Sequence, residues 1–273
     1  MDALRRHLLR HAALGTMALG LTTAATARTT PKGAPSDVGR PRTAQVLVAG
    51  TTFARLFEPG ADGGKPRGLA VDVLDAILLP AGHQPRYDFY PWLRAQSMIE
   101  HGPAQILVGP YRTPEREKTM RFSRQAFYED ALVFYARRRE EGLWWGDFQA
   151  LQPLRVATVQ GWVYGERFEQ ARATLNVTPV RDLATALRML QLGRVDLIAA
   201  NQRNSEPVIQ ELGLNDQVAL CAPPFAQLRG HFAFSRDPAG EPWLALIDAG
   251  MQRLRASGEL QQMAARRGVA LPD

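Results

Sequence analysis

Apolar residues in this chain gather into short blocks with two different periods. The run Gln45-Val46-Leu47-Val48-Ala49-Gly50 and the run Ile106-Leu107-Val108-Gly109 read as buried strands, and Arg86 to Tyr90 alternates as another. Between them, Leu69, Val71, Val73, Leu74, Ile77 and Leu78 recur at helical spacing with Gly82 as a stop, and Trp92 to Glu100 forms a second helix ended by Gly102. Strand, helix, strand, helix, strand is the order of a parallel sheet covered by helices.

The pattern then repeats. Ala95 to Leu107 matches Ala186 to Ile198 at a constant offset of 91, with the Ala, Met and Gly positions coinciding and the apolar pairs equivalent. Each copy is a helix, a Gly cap and a buried strand. The strands that precede them, Val46 to Ala49 and Arg155 to Val159, also lead into comparable loops; the longer spacing in the first copy is the Gly-rich loop at residues 59–68. Two small α/β lobes are therefore expected, with a shared cleft at the carboxyl ends of their strands. Phe127 to Tyr135 reads as a long strand joining them, followed by the charged boundary Arg137 to Gly142, and Gly230 to Ser235 as a second crossing. The tail from Pro242 to Arg267 is amphipathic, with a break at Gly258, and should return to the first lobe. The domain boundaries expected are 44–135 and 233–273 for the first lobe and 136–232 for the second.

Composition adds little to this picture: 273 residues, 45% hydrophobic and 22% charged, suit a soluble globular chain. The net charge of +6 is spread along the sequence without a nucleic-acid-binding signature, so no nucleic acid partner is expected. The N-terminus changes the picture more. Arg5-Arg6 precede the modestly apolar stretch Ala12 to Thr23 and the small residues Ala25-Thr26-Ala27, the layout of a cleavable export signal over residues 1–27. Leu4 stands where a twin-arginine signal usually has Ser or Thr, so the general secretory route stays open. Residues 28–43, polar and proline-rich, read as a flexible leader. Cys221 is the single cysteine, in apolar surroundings, so it reads as a buried hydrophobe, and neither an internal disulfide nor a lipid anchor is expected. A free monomer in the periplasm is the expected product.

The densest chemistry lies in Gly109-Pro110-Tyr111-Arg112-Thr113-Pro114-Glu115-Arg116. Thr113 is placed as a helix N-cap with Pro114 at the first helical position. Free N–H groups at that start, beside two arginines, would seat a carboxylate; the same residues also fit a capped surface helix with solvated arginines.

Taken together, the chain resembles the extracellular solute-binding proteins of the amino-acid-binding type, family 3, which serve ATP-driven importers. The resemblance is carried by Gly68-Leu69-Ala70-Val71-Asp72, Pro91-Trp92-Leu93-Arg94-Ala95, Arg112 to Arg116 with Arg121-Phe122-Ser123, Val156 to Gly161, and Gly193 to Ile198. It implies an α/β fold of the type II periplasmic binding protein class, two lobes with two crossover strands, closing on a small-molecule ligand between them, with an ABC permease as membrane partner and no cofactor or metal. In relatives that bind α-amino acids, the arginine matching Arg116 holds the ligand carboxylate. The hydroxyls that usually follow the second-lobe turn are replaced by Trp162 and Val163 after Gln160-Gly161, and the acid that receives the ammonium is replaced by Asn201.

The expected ligand contacts are Arg116, Arg94, Thr113, Tyr111, Phe53, Trp92, Trp162, Gln160 and Asn201. Trp92 also fits a core position, and Arg94 a solvated one. An amide cannot neutralise a desolvated ammonium, so the set favours a small anionic or zwitterionic ligand with a flat or apolar part. His83, His101 and His231 lack metal-ligand spacing. An enzyme of the dehydratase kind on the same fold would need an acid in the cleft, for which Glu129, Asp130 and Glu166 are available; a ligand sensor for a membrane receptor is the third reading. If the arginine pair directs export, the Arg5→Lys, Arg6→Lys double variant will leave precursor in the cytoplasm in a fractionation assay, whereas unchanged export assigns the general secretory route.

Overall fold

A computed structural model describes residues 44–273; the signal and leader expected over residues 1–43 lie outside the described residues. The first unit runs β1 (Ala44–Gly50), α1 (Leu69–Leu78), β2 (His83–Phe89), α2 (Trp92–Glu100) and β3 (Ile106–Tyr111). It is followed by a single helical turn, α3 (Pro114–Glu117), and by β4 (Met120–Phe122). The second unit runs β6 (Arg155–Val159), α4 (Glu166–Ala171), β7 (Asn176–Val180), α5 (Leu183–Gln191), β8 (Leu197–Asn201) and α6 (Gln202–Glu211). Two long strands, β5 (Tyr128–Arg137) and β9 (Val218–Ser235), stand between the units, and α7 (Glu241–Ala256) and α8 (Glu259–Arg267) end the chain.

The internal repeat appears as pairing. In the first lobe β1 lies between β2 and β3, all parallel, and in the second β6 lies between β7 and β8 in the same way. The register carries the offset too: Ile106 pairs with Val48, and Leu197, its counterpart 91 residues on, pairs with Val156. β2 begins at His83, three residues before the alternation suggests. Pro85 is tolerated there because β2 is an edge strand, where a missing N–H breaks no ladder.

All nine strands form one sheet in the order β2-β1-β3-β9-β5-β8-β6-β7, with β4 added to β9. β5 and β9 pair antiparallel from Tyr128 with Gly230 to Arg137 with Val218, interrupted by a register shift between Leu132 and Phe134. Their two ends lie in different cores. Phe127, Tyr128, Phe232 and Phe234 pack with α1, α7 and α8, whereas Val133 and Tyr135 pack with α5, and Leu132 and Phe134 with Trp144, Phe168 and Phe225. The chain therefore passes between lobes at Glu129–Ala131 and returns at residues 226–229, earlier in each strand than boundaries after Tyr135 and Phe232 would put it. Long apolar strands hide this, because β5 stays buried on both sides of the passage.

The tail returns to the first lobe as expected. Ile247, Met251 and Leu254 of α7 and Leu260 of α8 share one core with Leu69, Val73, Leu74 and Ile77 of α1. Each fully buried Leu or Ile in that interface contributes about 1.5–3 kcal/mol. Cys221 is 1% exposed, and burial pushes its thiol up to about 11, as suits a packed hydrophobe rather than a nucleophile. None of the described helices is long and apolar enough to cross a membrane.

Gly230 is the tightest point of the crossing, since a Cβ there would overlap the ring of Tyr128 on the paired strand. Tyr128 is held by its hydroxyl, which donates to the Gly109 carbonyl at 2.6 Å. Gly230→Ala will cost roughly 1–3 kcal/mol, read as a lower urea midpoint with an unchanged slope.

Candidate functional site

A cavity of about 420 Å³ lies where the crossing strands meet the strand tips of both lobes. From the first lobe it receives Phe53, Trp92, Gly109, Tyr111, Arg116 and Tyr128; from the second, Leu132, Trp162, Val163, Tyr164, Asn201 and Asn204. Six of these side chains are aromatic and only Arg116 is charged. A broader groove of about 1420 Å³ adjoins it, sharing Phe53, Trp92, Trp162 and Asn204.

Arg116 reaches the cavity because of how α3 starts. Thr113 is extended and its hydroxyl accepts the Arg116 amide at 3.3 Å, with Pro114 opening the turn, which is the cap expected from the sequence. The guanidinium donates to the Tyr111 carbonyl at 3.0 Å and, across the cleft, to the Gly161 carbonyl at 3.3 Å, and it lies 5.3 Å from the Trp92 ring. Both hydrogen bonds end on neutral carbonyls, and among the described residues Arg116 forms no ion pair. Burial lowers its pKa, opposed by Tyr128, Tyr111 and Glu100, yet an arginine so placed keeps its charge. Gly161 has a φ of +75°, the backbone that lets its carbonyl face both Arg116 and the Trp92 indole, which donates to it at 3.2 Å.

Behind the cavity wall lies a second charged centre. Asp130, 2% exposed, takes two hydrogen bonds from Arg203, Nε at 2.8 Å and Nη2 at 2.7 Å. The same carboxylate accepts from the Tyr111 hydroxyl at 2.7 Å and from the Asn201 amide at 3.0 Å. Burial first, and then Asp130, pushes the Tyr111 phenol well above its ordinary pKa, so Tyr111 remains a donor. Asn201 also donates to the Tyr111 hydroxyl at 2.9 Å, and its Oδ1 accepts the Asn204 amide at 2.8 Å, capping α6. Arg203 crosses the cleft to the Ala54 carbonyl at 2.6 Å, and Asn204 Oδ1 accepts the Ala54 amide at 3.1 Å. Removing either member of this desolvated pair would strand the other, at a cost of about 3–5 kcal/mol.

Of the nine residues expected at the site, Arg116, Tyr111, Phe53, Trp92, Trp162 and Asn201 line the cavity. The other three do not. Thr113 holds the helix start and is absent from the lining. Arg94 is exposed, its guanidinium 5.6 Å from the Tyr90 ring on the outer face of α2, and Gln160 lines only the broader groove. Helical phase explains Arg94: Trp92 points inward, so a residue two positions on points away. Trp92 is half-buried and a contact rather than core, while Asn201 is committed to the Asp130 network. Glu129 pairs with Arg229 at 3.0 Å, and Glu166 accepts from Gln170 at 3.0 Å on α4. Sequence reasoning missed Arg203, Asn204 and Tyr164; the Asn-Gln-Arg-Asn start of α6 was the available signal, because an arginine in a first helical turn opposes the dipole and needs a partner. Among the described residues, no group of three or more His, Cys, Asp or Glu could hold a metal ion.

Comparison with known proteins agrees with this architecture. A histidine kinase sensor domain with similarity to periplasmic binding proteins superposes with a TM-score of 0.74 at 22% identity, covering 85% of this chain and 100% of that one. The P235GK mutant of ArgBP from T. maritima gives a TM-score of 0.67 at 15% identity, covering 81% and 94% of the two chains. An ancestral arginine-binding protein bound to arginine gives 0.68 at 16% identity, covering 81% and 97%. Comparison with curated proteins gives no match. The fold is that of the type II periplasmic binding proteins, and residues 48–267 match the bacterial extracellular solute-binding proteins, family 3. The chain belongs to that family.

Proposed function

We propose that this chain captures a small carboxylate-bearing ligand with a flat or apolar body between its lobes and delivers it to an ABC permease. Residues 1–27 direct it to the periplasm and are removed there, leaving a monomer free in that compartment. The carrying observation is Arg116, a positive charge in an aromatic cavity with carbonyls as its hydrogen-bond partners. A carboxylate would give it a bidentate, charge-assisted partner. Phe53, Trp92 and Trp162 supply ring faces for the rest of the ligand, and a cavity of about 420 Å³ suits a small molecule.

The same geometry disfavours cations. An arginine-binding relative shares the fold, but here the carboxylate nearest the cavity, Asp130, already accepts from Arg203, Tyr111 and Asn201. The Tyr128 hydroxyl is likewise committed, to Gly109. A ligand ammonium would lose its water without gaining an acid. Glu129 and Glu166 face partners outside the cavity, which supports binding over turnover. A second reading, ligand sensing through a membrane receptor, is favoured by the likeness to a histidine kinase sensor domain over its entire length.

Titration calorimetry with a panel of aromatic monocarboxylates tests the proposal. Arg116→Ala will weaken binding by roughly 2–5 kcal/mol, and Arg116→Lys will recover only part because a point charge lacks the fork. A folded Arg116→Ala protein that binds within about twofold of the parent would make this arginine structural.

Asn201→Asp gives an independent check. It sets a carboxylate against Asp130, where the amide now donates at 3.0 Å, so one of the two acids is forced toward protonation and the pair's pKa is raised. Since the folded pKa lies above the unfolded value, the variant's deficit is largest at neutral pH, about 1–3 kcal/mol, and shrinks as pH falls through the carboxylate range. Melting temperatures of variant and parent across that range will converge on the acid side.

A further inference from the structure

Arg203 sits where a helix tolerates a positive charge least. It is the second residue of α6, beside the amino end that already carries partial positive charge. Its side chain is 8% exposed, so water does not offset that cost. What compensates it is a set of groups from three separate segments. Asp130 of β5 takes Nε and Nη2 in a bidentate pair, at 2.8 and 2.7 Å. Tyr128, two residues earlier on the same strand, places its ring 5.1 Å from the guanidinium carbon. The Ala54 carbonyl, from the loop after β1, accepts Nη1 at 2.6 Å, and Asn204 Oδ1 accepts it at 2.9 Å.

A carboxylate in fork geometry, an aromatic face and converging oxygens are what a cleft needs to bind a free guanidinium ion. The chain supplies both halves of that recognition itself. The subsite also abuts the ligand cavity, because Tyr111 and Asn201, which line the cavity, both hydrogen-bond to Asp130.

We infer that Arg203 is an internal guanidinium ligand that fills a cation subsite centred on Asp130, and that its presence makes it the residue setting the charge class of the cleft. With Arg203 in place, Arg116 is the charge left to meet a ligand, and anions are selected. Without it, Asp130, the Tyr128 ring and the Ala54 carbonyl form a vacant seat for guanidinium and amidinium cations. The inference rests on the cavity being the ligand site, as proposed above, but it concerns Asp130 and not Arg116.

The test is binding of methylguanidinium to the mature chain carrying Arg203→Ala, followed by calorimetry and by thermal melting at low millimolar ligand. Arg203→Ala is expected to bind it at least about tenfold more tightly than the parent, the worth of a charge-assisted contact. The Asp130→Asn, Arg203→Ala double variant is expected to lose that gain. Affinity within about twofold of the parent, or an equal gain in the double variant, overturns the inference. If Arg203→Ala does not fold alone, methylguanidinium should restore its native circular dichroism, and failure to do so overturns it equally. Phenylacetate titrated into the parent protein runs alongside: a parent that binds no carboxylate defeats the proposed function while leaving the methylguanidinium result to judge Arg203.

Discussion

An ion pair taken out of water must have its remaining lone pairs and protons satisfied by the protein, and the Asp130–Arg203 pair shows how much structure that requires. Asp130 stands at the passage of β5 between lobes, and Arg203 opens the helix that follows β8. Tyr111 comes from the tip of β3 and Asn201 from the tip of β8, so the carboxylate gathers strand ends from both lobes. Isolated, such a pair adds little stability against a hydrophobic replacement. Its effect is on specificity: it fixes which strand ends meet, and it takes the acid nearest the cavity out of ligand chemistry. What remains is an aromatic chamber with one arginine.

The parts legible in the sequence were those set by local periodicity. β1, α1, α2 and β3 follow from apolar spacing and Gly stops, and the repeat at offset 91 recovers even the pairing register, because each copy must bury the same faces on the same kind of sheet. Thr113 and Pro114 declare their helix start in the same local way. The passage between lobes was less legible, since β5 is buried in one core and then in the next without a polar break. Least legible was the site's charge balance. Asp130 and Arg203 are 73 residues apart, and nothing beside Asp130 in the chain marks it as different from Glu129. Arg94 and Arg203 look alike in one dimension; one turns outward to Tyr90 and the other is buried.

Family membership and fold leave the ligand open here for a physical reason. The positions that give amino-acid-binding relatives their two-ended grip are held by Trp162, Val163 and Asn201, and Asn201 is turned to work inside the protein. The architecture that brings a ligand between lobes is retained, while one end of the grip is rebuilt as a structural joint. Selectivity in such a site comes as much from the charge that has been cancelled as from the one left exposed.

The Gly161 carbonyl accepts from both Arg116 and Trp92, two residues of the opposite lobe that also line the cavity. The groups that would grip a ligand are thus the groups that hold the lobes together at this edge. Hinge opening breaks both bonds at once, swinging the second-lobe turn away from the arginine and the indole. Opening and unloading are then one mechanical step, and residence time is governed by the rate at which a single backbone oxygen parts from two side chains.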